Sequence, residues 1–204
     1  MLNSFEDLNT RFAQVARKPH VVTRKSAGAV GELFEELMLG KIVGTQKGAD
    51  FAAINCEAKV HYTRTNRLTT LFCFAFTLGL KPSAFAKEFH AGMARAGRTN
   101  KHGQSVSVCW KRVMITVDGV AVAGWTIDEL KERIEMKMPN LAFVNATKRG
   151  QTVTFDEMFV GQHVVAERFI DSIANGDVTI EMRSGVVQFR ASRDVIKKWF
   201  VKVN

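Results

Sequence analysis

No apolar run in this 204-residue chain reaches bilayer-crossing length, so no membrane-spanning helix is expected. The opening stretch, MLNSFEDLNTRF, carries acidic residues and lacks a basic start followed by an apolar core; it does not read as a secretory signal, and a cytoplasmic location is expected. Cysteine is scarce. Cys56, Cys73 and Cys109 are odd in number and widely spaced, which fits neither a disulfide framework nor a paired-cysteine zinc site, so all three are expected to be reduced and buried. Neither an internal repeat nor a low-complexity linker interrupts the chain. Acidic residues are outnumbered, 20 Asp and Glu against 29 Lys and Arg, and the resulting charge of +9 points to a polyanionic partner. The remainder, 46% hydrophobic and 24% charged, suits one globular domain.

Helix-like and strand-like segments alternate, which argues for a mixed α/β domain. The spacing of Phe5, Leu8, Phe12 and Val15 predicts an N-terminal amphipathic helix. After Ser26, read as an N-cap, AGAVGELFEELMLG places Val30, Leu33, Phe34, Leu37 and Met38 on one face and stops at Gly40. Gly28, Gly31 and Glu35 share another face. Helical glycines cost about 1 kcal/mol each, so something must approach that stripe closely, either a packed element or a nucleic-acid backbone. Segments 50–62 and 69–77 read as strands, the second apolar throughout, as in a sheet centre. A helix from Pro82, a loop over GRTNKHGQS, a hairpin turning at Asp118-Gly119 and a helix opened by the capping box Thr126 and Glu129 follow. Then come the strand LAFVNAT, the loop KRGQT, a helix around AERFIDSIANG, the strand-like runs VTIEMRSG and VVQFRAS, and a short tail. Trp110, Trp125 and Trp199, set among apolar runs, are read as core.

The segment DFAAINCEAK concentrates two carboxylates and a lysine. Glu57 and Lys59, two apart on a strand, leave the same face. Asp50 precedes them across a turn containing Asn55, a residue that tolerates left-handed backbone, so folding back would set Asp50 beside Glu57. Facing carboxylates repel unless a divalent cation such as Mg²⁺ lies between them, leaving coordination positions for a phosphate. Lys59 would then stabilise developing negative charge. The plainer alternative is a turn aspartate followed by solvated strand charges.

The wider pattern, GAVGELFEELMLG, then DFAAINCEAKV, then a basic stretch and RLTTLFCF, resembles the catalytic half of the MutH and MvaI/BcnI family of DNA endonucleases, within the PD-(D/E)XK nuclease superfamily. The resemblance covers about 24–80 well and 155–192 loosely, and leaves 81–154 unmatched. It implies a restriction-endonuclease-like α/β (α+β) core, a mixed central sheet flanked by helices, with two lobes around a DNA cleft. Residues 1–204 would form a single nuclease domain, about 1–100 its catalytic lobe and about 101–204 a C-terminal DNA-reading lobe. Asp50, Glu57, Lys59 and the helical Glu35 match the family's catalytic set, and Asp50, Glu57 and Ala58 its metal site. The implied activity is Mg²⁺-dependent cleavage of double-stranded DNA at a specific sequence by metal-activated water, leaving 5′-phosphate ends, with Mn²⁺ as a substitute metal. The chain would act as a monomer or weak dimer; a MutH-like nicking enzyme would need an activating protein, and a silent DNA-binding protein on the same fold is a further alternative.

Phosphate contacts supply most of a nuclease's grip on a duplex. Arg64 and Arg67, after the catalytic strand, and Lys148 and Arg149, in a glycine-containing loop, suit that role. Lys25 lies two residues from where the family often carries a lysine. His61 follows Lys59 on the same face and either nears the scissile phosphate or sits at the sheet edge; His90 reads as packing or surface. Arg183, Gln188, Arg190 and Arg193 offer planar groups for base edges, with Gln188 and Arg190 on one strand face and Val187 and Phe189 on the other.

Overall fold

In the computed structural model, residues 2–26, 28–41, 49–62, 68–79, 93–183 and 186–204 are described, the side chains of Met182 and Arg183 excepted. They divide into two compact units that are not successive halves of the sequence: unit 1 combines 1–67, 137–164 and 200–204, and unit 2 combines 68–136 and 165–199. No helix among the described residues is long and apolar enough to cross a membrane.

Unit 1 is a five-stranded sheet with two helices packed against it. Its helices are α1 (Phe5–Val15) and α2 (Ala29–Leu39), and its strands are β1 (Pro19–Val21), β2 (Cys56–Tyr62), β9 (Asn140–Arg149), β10 (Thr152–Val164) and β13 (Phe200–Val203). The order is β1-β10-β9-β2, with β13 also on β10; β2 runs parallel to β9 and every other pairing is antiparallel. β2 is thus an edge strand. The predicted apolar stripe of α2 delivers Val30, Phe34 and Met38 into the core, where they meet Leu8 and Val15 of α1 and Cys56, Ala58, Ala142, Val144 and Phe155 of the sheet. Phe34 is the pivot, its ring 5.2 Å from Phe155 and 6.3 Å from both Phe12 and Phe51. Full burial of such a ring contributes about 3 kcal/mol, enough to fix the next residue, Glu35, beside β2. The N-cap of α2 is Gly28, without a side-chain bond, rather than Ser26, whose carbonyl instead accepts from the Ala29 N–H at 3.2 Å.

The long strand β10 escaped the sequence reading because a bulge between Phe155 and Glu157 shifts the phase of its alternation. It also needs Gly161, since a Cβ there would lie 2.4 Å from the Phe200 ring.

Unit 2 contains two four-stranded sheets. One is ordered β3 (Thr69–Cys73), β12 (Val186–Ala191), β11 (Thr179–Arg183), β5 (Met93–Ala94), and the other β4 (Leu78–Gly79), β8 (Val120–Thr126), β7 (Arg112–Val117), β6 (Gln104–Cys109). Its helices are α3 (Ile127–Lys137), whose last residue belongs to unit 1, α4 (Ala166–Ala174) and the short α5 (Arg193–Lys197). The Asp118-Gly119 hairpin and the Thr126–Glu129 capping box both form: Val117 pairs with Val120, Glu129 Oε2 accepts from the Thr126 N–H at 2.9 Å, and Thr126 Oγ1 accepts from the Glu129 N–H at 3.2 Å. The segment 69–77 is corrected. Only Thr69–Cys73 is strand, and it lies at a sheet edge; the apolar run continues because Phe74 and Phe76 leave the strand to pack on the buried Trp125 ring, 6.3 and 4.9 Å away.

Trp125 and Trp199 are core residues, as read, each with a satisfied indole N–H: Trp125 Nε1 donates to the Ala75 carbonyl and Trp199 Nε1 to Ser172 Oγ, both at 2.8 Å. Trp110 is not. It is 94% exposed, because Cys109 pairs with Arg112 and leaves Trp110-Lys111 as a two-residue turn with Trp110 at φ 43°. The same turn exposes Cys109. Cys73 is exposed as well, so only Cys56 meets the expectation of burial, and all three thiols are free.

Candidate functional site

The site begins with a tight reversal. Phe51, buried against Phe34, bridges Cys56 through N–H to carbonyl bonds of 2.9 and 3.2 Å, and the intervening Ala52–Ile54 form a 3₁₀ turn rather than strand. Asn55 closes the turn in the left-handed region at φ 47°, the role expected of it. This reversal carries Asp50 back onto β2, where its Oδ2 accepts a hydrogen bond from the Ala58 N–H at 2.8 Å. In a strand the N–H and C=O of one residue point to the same side, so the Ala58 carbonyl also faces the open edge beside Asp50. Along β2, Cys56 and Ala58 are buried while Glu57 and Lys59 are partly exposed, and Lys59 Nζ lies 2.6 Å from Glu57 Oε1.

Electrostatics follow from crowding. Burial, opposed by Lys59 and reinforced by Asp50, holds the Glu57 carboxyl above the usual range. Burial and then the Asp50 charge push Glu35 to about 7, against the opposing pull of Lys59. Burial likewise pushes the Cys56 thiol to about 12, so it is an inert neighbour. A hollow of about 320 Å³ is lined by Gly28, Gly31 and Glu35 of the helical segment and by Asp50, Glu57 and Lys59. The glycine stripe opens onto it. A Cβ at Gly31 would meet nothing within 4 Å and one at Gly28 only Glu32 Oε1 at 3.5 Å, so packing by another described element does not account for the stripe.

Among the described residues, no group of three His, Cys, Asp or Glu stands ready-made for a metal ion. The donor chemistry nonetheless fits a hard divalent cation: four carboxylates, Glu32, Glu35, Asp50 and Glu57, line one hollow with a single lysine, Glu35 and Glu57 are held above their usual range, and a backbone carbonyl faces the same edge.

No protein-family model matches the chain, and no curated protein matches it. Solved structures do. Restriction endonuclease MvaI in complex with its cognate DNA substrate is 16% identical, with 98% of this chain and 95% of that chain covered at a TM-score of 0.77. Restriction endonuclease MvaI in the absence of DNA is also 16% identical, with 98% and 99% covered and a TM-score of 0.58. The chain has the fold of restriction endonuclease MvaI. This bears out the restriction-endonuclease-like α+β architecture implied by the sequence resemblance.

On the MvaI fold, the remaining site residues fare differently. His61 is half-buried with its ring 5.8 Å from that of Phe143. Lys25 is exposed, while neighbouring Arg24 pairs with Glu32 at 2.6 Å and Glu36 at 2.7 Å. Arg64, Arg67, His90 and residues 82–92 of the helix expected from Pro82 lie outside the described residues, and the end of that expected helix is corrected: Met93–Ala94 are strand β5, paired with β11. Lys148 and Arg149 are exposed but belong to the end of β9, not to a loop: Arg149 pairs with Thr152, which confines the turn to Gly150-Gln151. Val187 and Phe189 are buried, so Gln188 and Arg190 do share the opposite face of β12. Arg190, however, is occupied within the protein, its Nη1 2.5 Å from Glu181 Oε2 and its Nη2 donating to the Leu68 carbonyl at 2.7 Å. Gln188 Oε1 accepts from Thr70 Oγ1 at 3.4 Å. Arg183 ends β11 opposite Val186, and Arg193 opens α5 half-buried. The sequence reading passed over Arg95, Arg98 and Lys101, whose only signal was three cations within a stretch read as helix end and loop.

Proposed function

We propose that the chain is a Mg²⁺-dependent, sequence-specific endonuclease of double-stranded DNA, related in chemistry to type II restriction enzymes. The observation that carries this reading is the arrangement on β2: Asp50 anchored on the Ala58 N–H, flanked by Glu57 and Lys59 in contact at 2.6 Å, on the fold of an enzyme solved with its cognate DNA. Asp50, Glu57 and the Ala58 carbonyl would hold the cation, with Glu35 supporting them from α2. When bound, Mg²⁺ or Mn²⁺ supplies Lewis acidity that lowers the pKa of a water and offsets charge on the scissile phosphate. Glu57 restrains Lys59 Nζ, so that a cation stands ready for negative charge developing during hydrolysis. The open glycine stripe gives a phosphate backbone room to approach, and the +9 charge supplies the general attraction.

With one such set among the described residues, a single chain would cut one strand per encounter and need a second copy or a second visit to sever both. The test is incubation of the purified protein with unmethylated supercoiled plasmid and Mg²⁺, beside an EDTA control and Lys59→Ala. Discrete fragments that require metal and Lys59 are expected. Nicked circles alone would favour a MutH-like nicking enzyme, and tight duplex binding without any cutting would replace the nuclease reading by a DNA-binding protein.

A further inference from the structure

A hollow of about 580 Å³ lies wholly within unit 2, its wall formed by Arg95, Arg98, Lys101 and His102 on one side and Thr179 and Glu181 of β11 on the other. Its charge is one-sided. Among the described residues, the one carboxylate in the wall, Glu181, is already bound to Arg190 at 2.5 Å, whereas Arg95, Arg98 and Lys101 make no ion pair. Like charges gathered around a concavity without a counter-ion repel, and an anion relieves that repulsion.

The backbone bearing these cations is built rather than slack. Asn100 Oδ1 accepts from the N–H groups of His102 at 2.9 Å and Gln104 at 3.0 Å, and its Nδ2 donates to Gln104 Oε1 at 2.8 Å and to the Met93 carbonyl at 3.3 Å. Gln104 itself is buried. Gly103, at φ 71°, lies so close to Asp118 that a Cβ would stand 2.0 Å from Oδ1, and the Asp118 N–H donates to the Gly103 carbonyl at 2.9 Å. A positively charged wall held by its own hydrogen bonds loses little freedom when an anion arrives. Three cations distributed over seven residues suit successive phosphates of a backbone better than one small anion. β5 also places them at the edge of the sheet that contains β11 and β12.

We propose that Arg95, Arg98 and Lys101 form a backbone-phosphate grip for duplex DNA in unit 2. This rests on the nuclease reading for the identity of its ligand. The grip is independent of sequence, so it holds any duplex.

The test is fluorescence anisotropy of a labelled duplex in EDTA, where nothing is cut, with wild type and with Arg95→Gln, Arg98→Gln and Lys101→Gln across a range of salt. Each substitution is expected to lower the slope of log affinity against log salt by about 0.9, the value per phosphate contact, and to weaken all duplex sequences alike. Far-UV circular dichroism melts verify that each variant is folded, and the slope responds to lost phosphate contacts rather than to lost stability. Unchanged slopes overturn the grip, and so does a loss confined to one DNA sequence with the slope preserved. Wild type that binds duplex with the expected slopes but never cuts plasmid with Mg²⁺ overturns the nuclease reading alone; wild type that binds no duplex overturns both.

Discussion

The carboxylate of Asp50 is bonded to the backbone N–H of Ala58 at 2.8 Å, eight residues along the chain and directly between Glu57 and Lys59. One hydrogen bond thereby ties the turn to the strand and brings all three charged groups to one edge. Asp50→Asn retains an acceptor for the Ala58 N–H while removing the charge. It is expected to cost about 1 kcal/mol of stability in urea melts and to reduce Mg²⁺-dependent plasmid cleavage by on the order of a hundredfold or more. An Asn variant that cuts at the wild-type rate would reduce Asp50 to a turn residue.

The bare stripe of α2 separates packing from substrate approach. Because a Cβ at Gly31 meets nothing, Gly31→Ala should raise the stability of the metal-free protein by about 1 kcal/mol, the helix-propensity difference. The same methyl group should obstruct a phosphate backbone and lower cleavage. Increased stability with undiminished cleavage would mean that the substrate does not pass over this face.

The capping box sets a pH dependence. The Thr126 N–H and then the Thr126 and Thr77 hydroxyls hold the Glu129 carboxyl below its ordinary value of 4.5. A lowered folded-state pKa means that the stabilisation is complete above 4.5 and is lost as pH falls through the folded value. Glu129→Gln should therefore cost on the order of 1 kcal/mol at neutral pH, and the difference between variant and wild type should shrink in melts at increasingly acid pH. A gap independent of pH would show that the charge contributes nothing.

Side-chain exposure can be read in solution. Acrylamide should quench one of the three indoles readily, and Trp110→Phe should abolish that component, since Trp125 and Trp199 are fully buried. A thiol reagent should label Cys73 and Cys109 quickly and Cys56 only on unfolding, because Cys56 is buried and its thiol is held protonated. Rapid labelling of all three would contradict the packing of β2 against α2.

Much of the site was legible in the linear sequence because its determinants are local. Period-two alternation puts Glu57 and Lys59 on one face, Asn55 marks the left-handed reversal that returns Asp50 to β2, and helical spacing aligns Gly28, Gly31 and Glu35. The two tight features of unit 2, the Asp118-Gly119 turn and the Thr126–Glu129 box, were readable for the same reason. Long-range pairing was not. That β2 stands at the edge of its sheet depends on β9, more than eighty residues later, and that edge gives the site its open side. The bulge in β10 erased the periodicity that would have announced it, and Trp110 looked like core until the pairing of Cys109 with Arg112 turned it outward. Arg190 could be assigned a face but not its partners, since Glu181 and the Leu68 carbonyl reach it only through the ladder and the fold. The sequence by itself determined which residues share a face and where the chain reverses, because both depend on backbone geometry over a few residues. Only the tertiary structure decided which faces are covered and which charges are paired, because burial and ion pairing depend on segments brought together from distant parts of the chain.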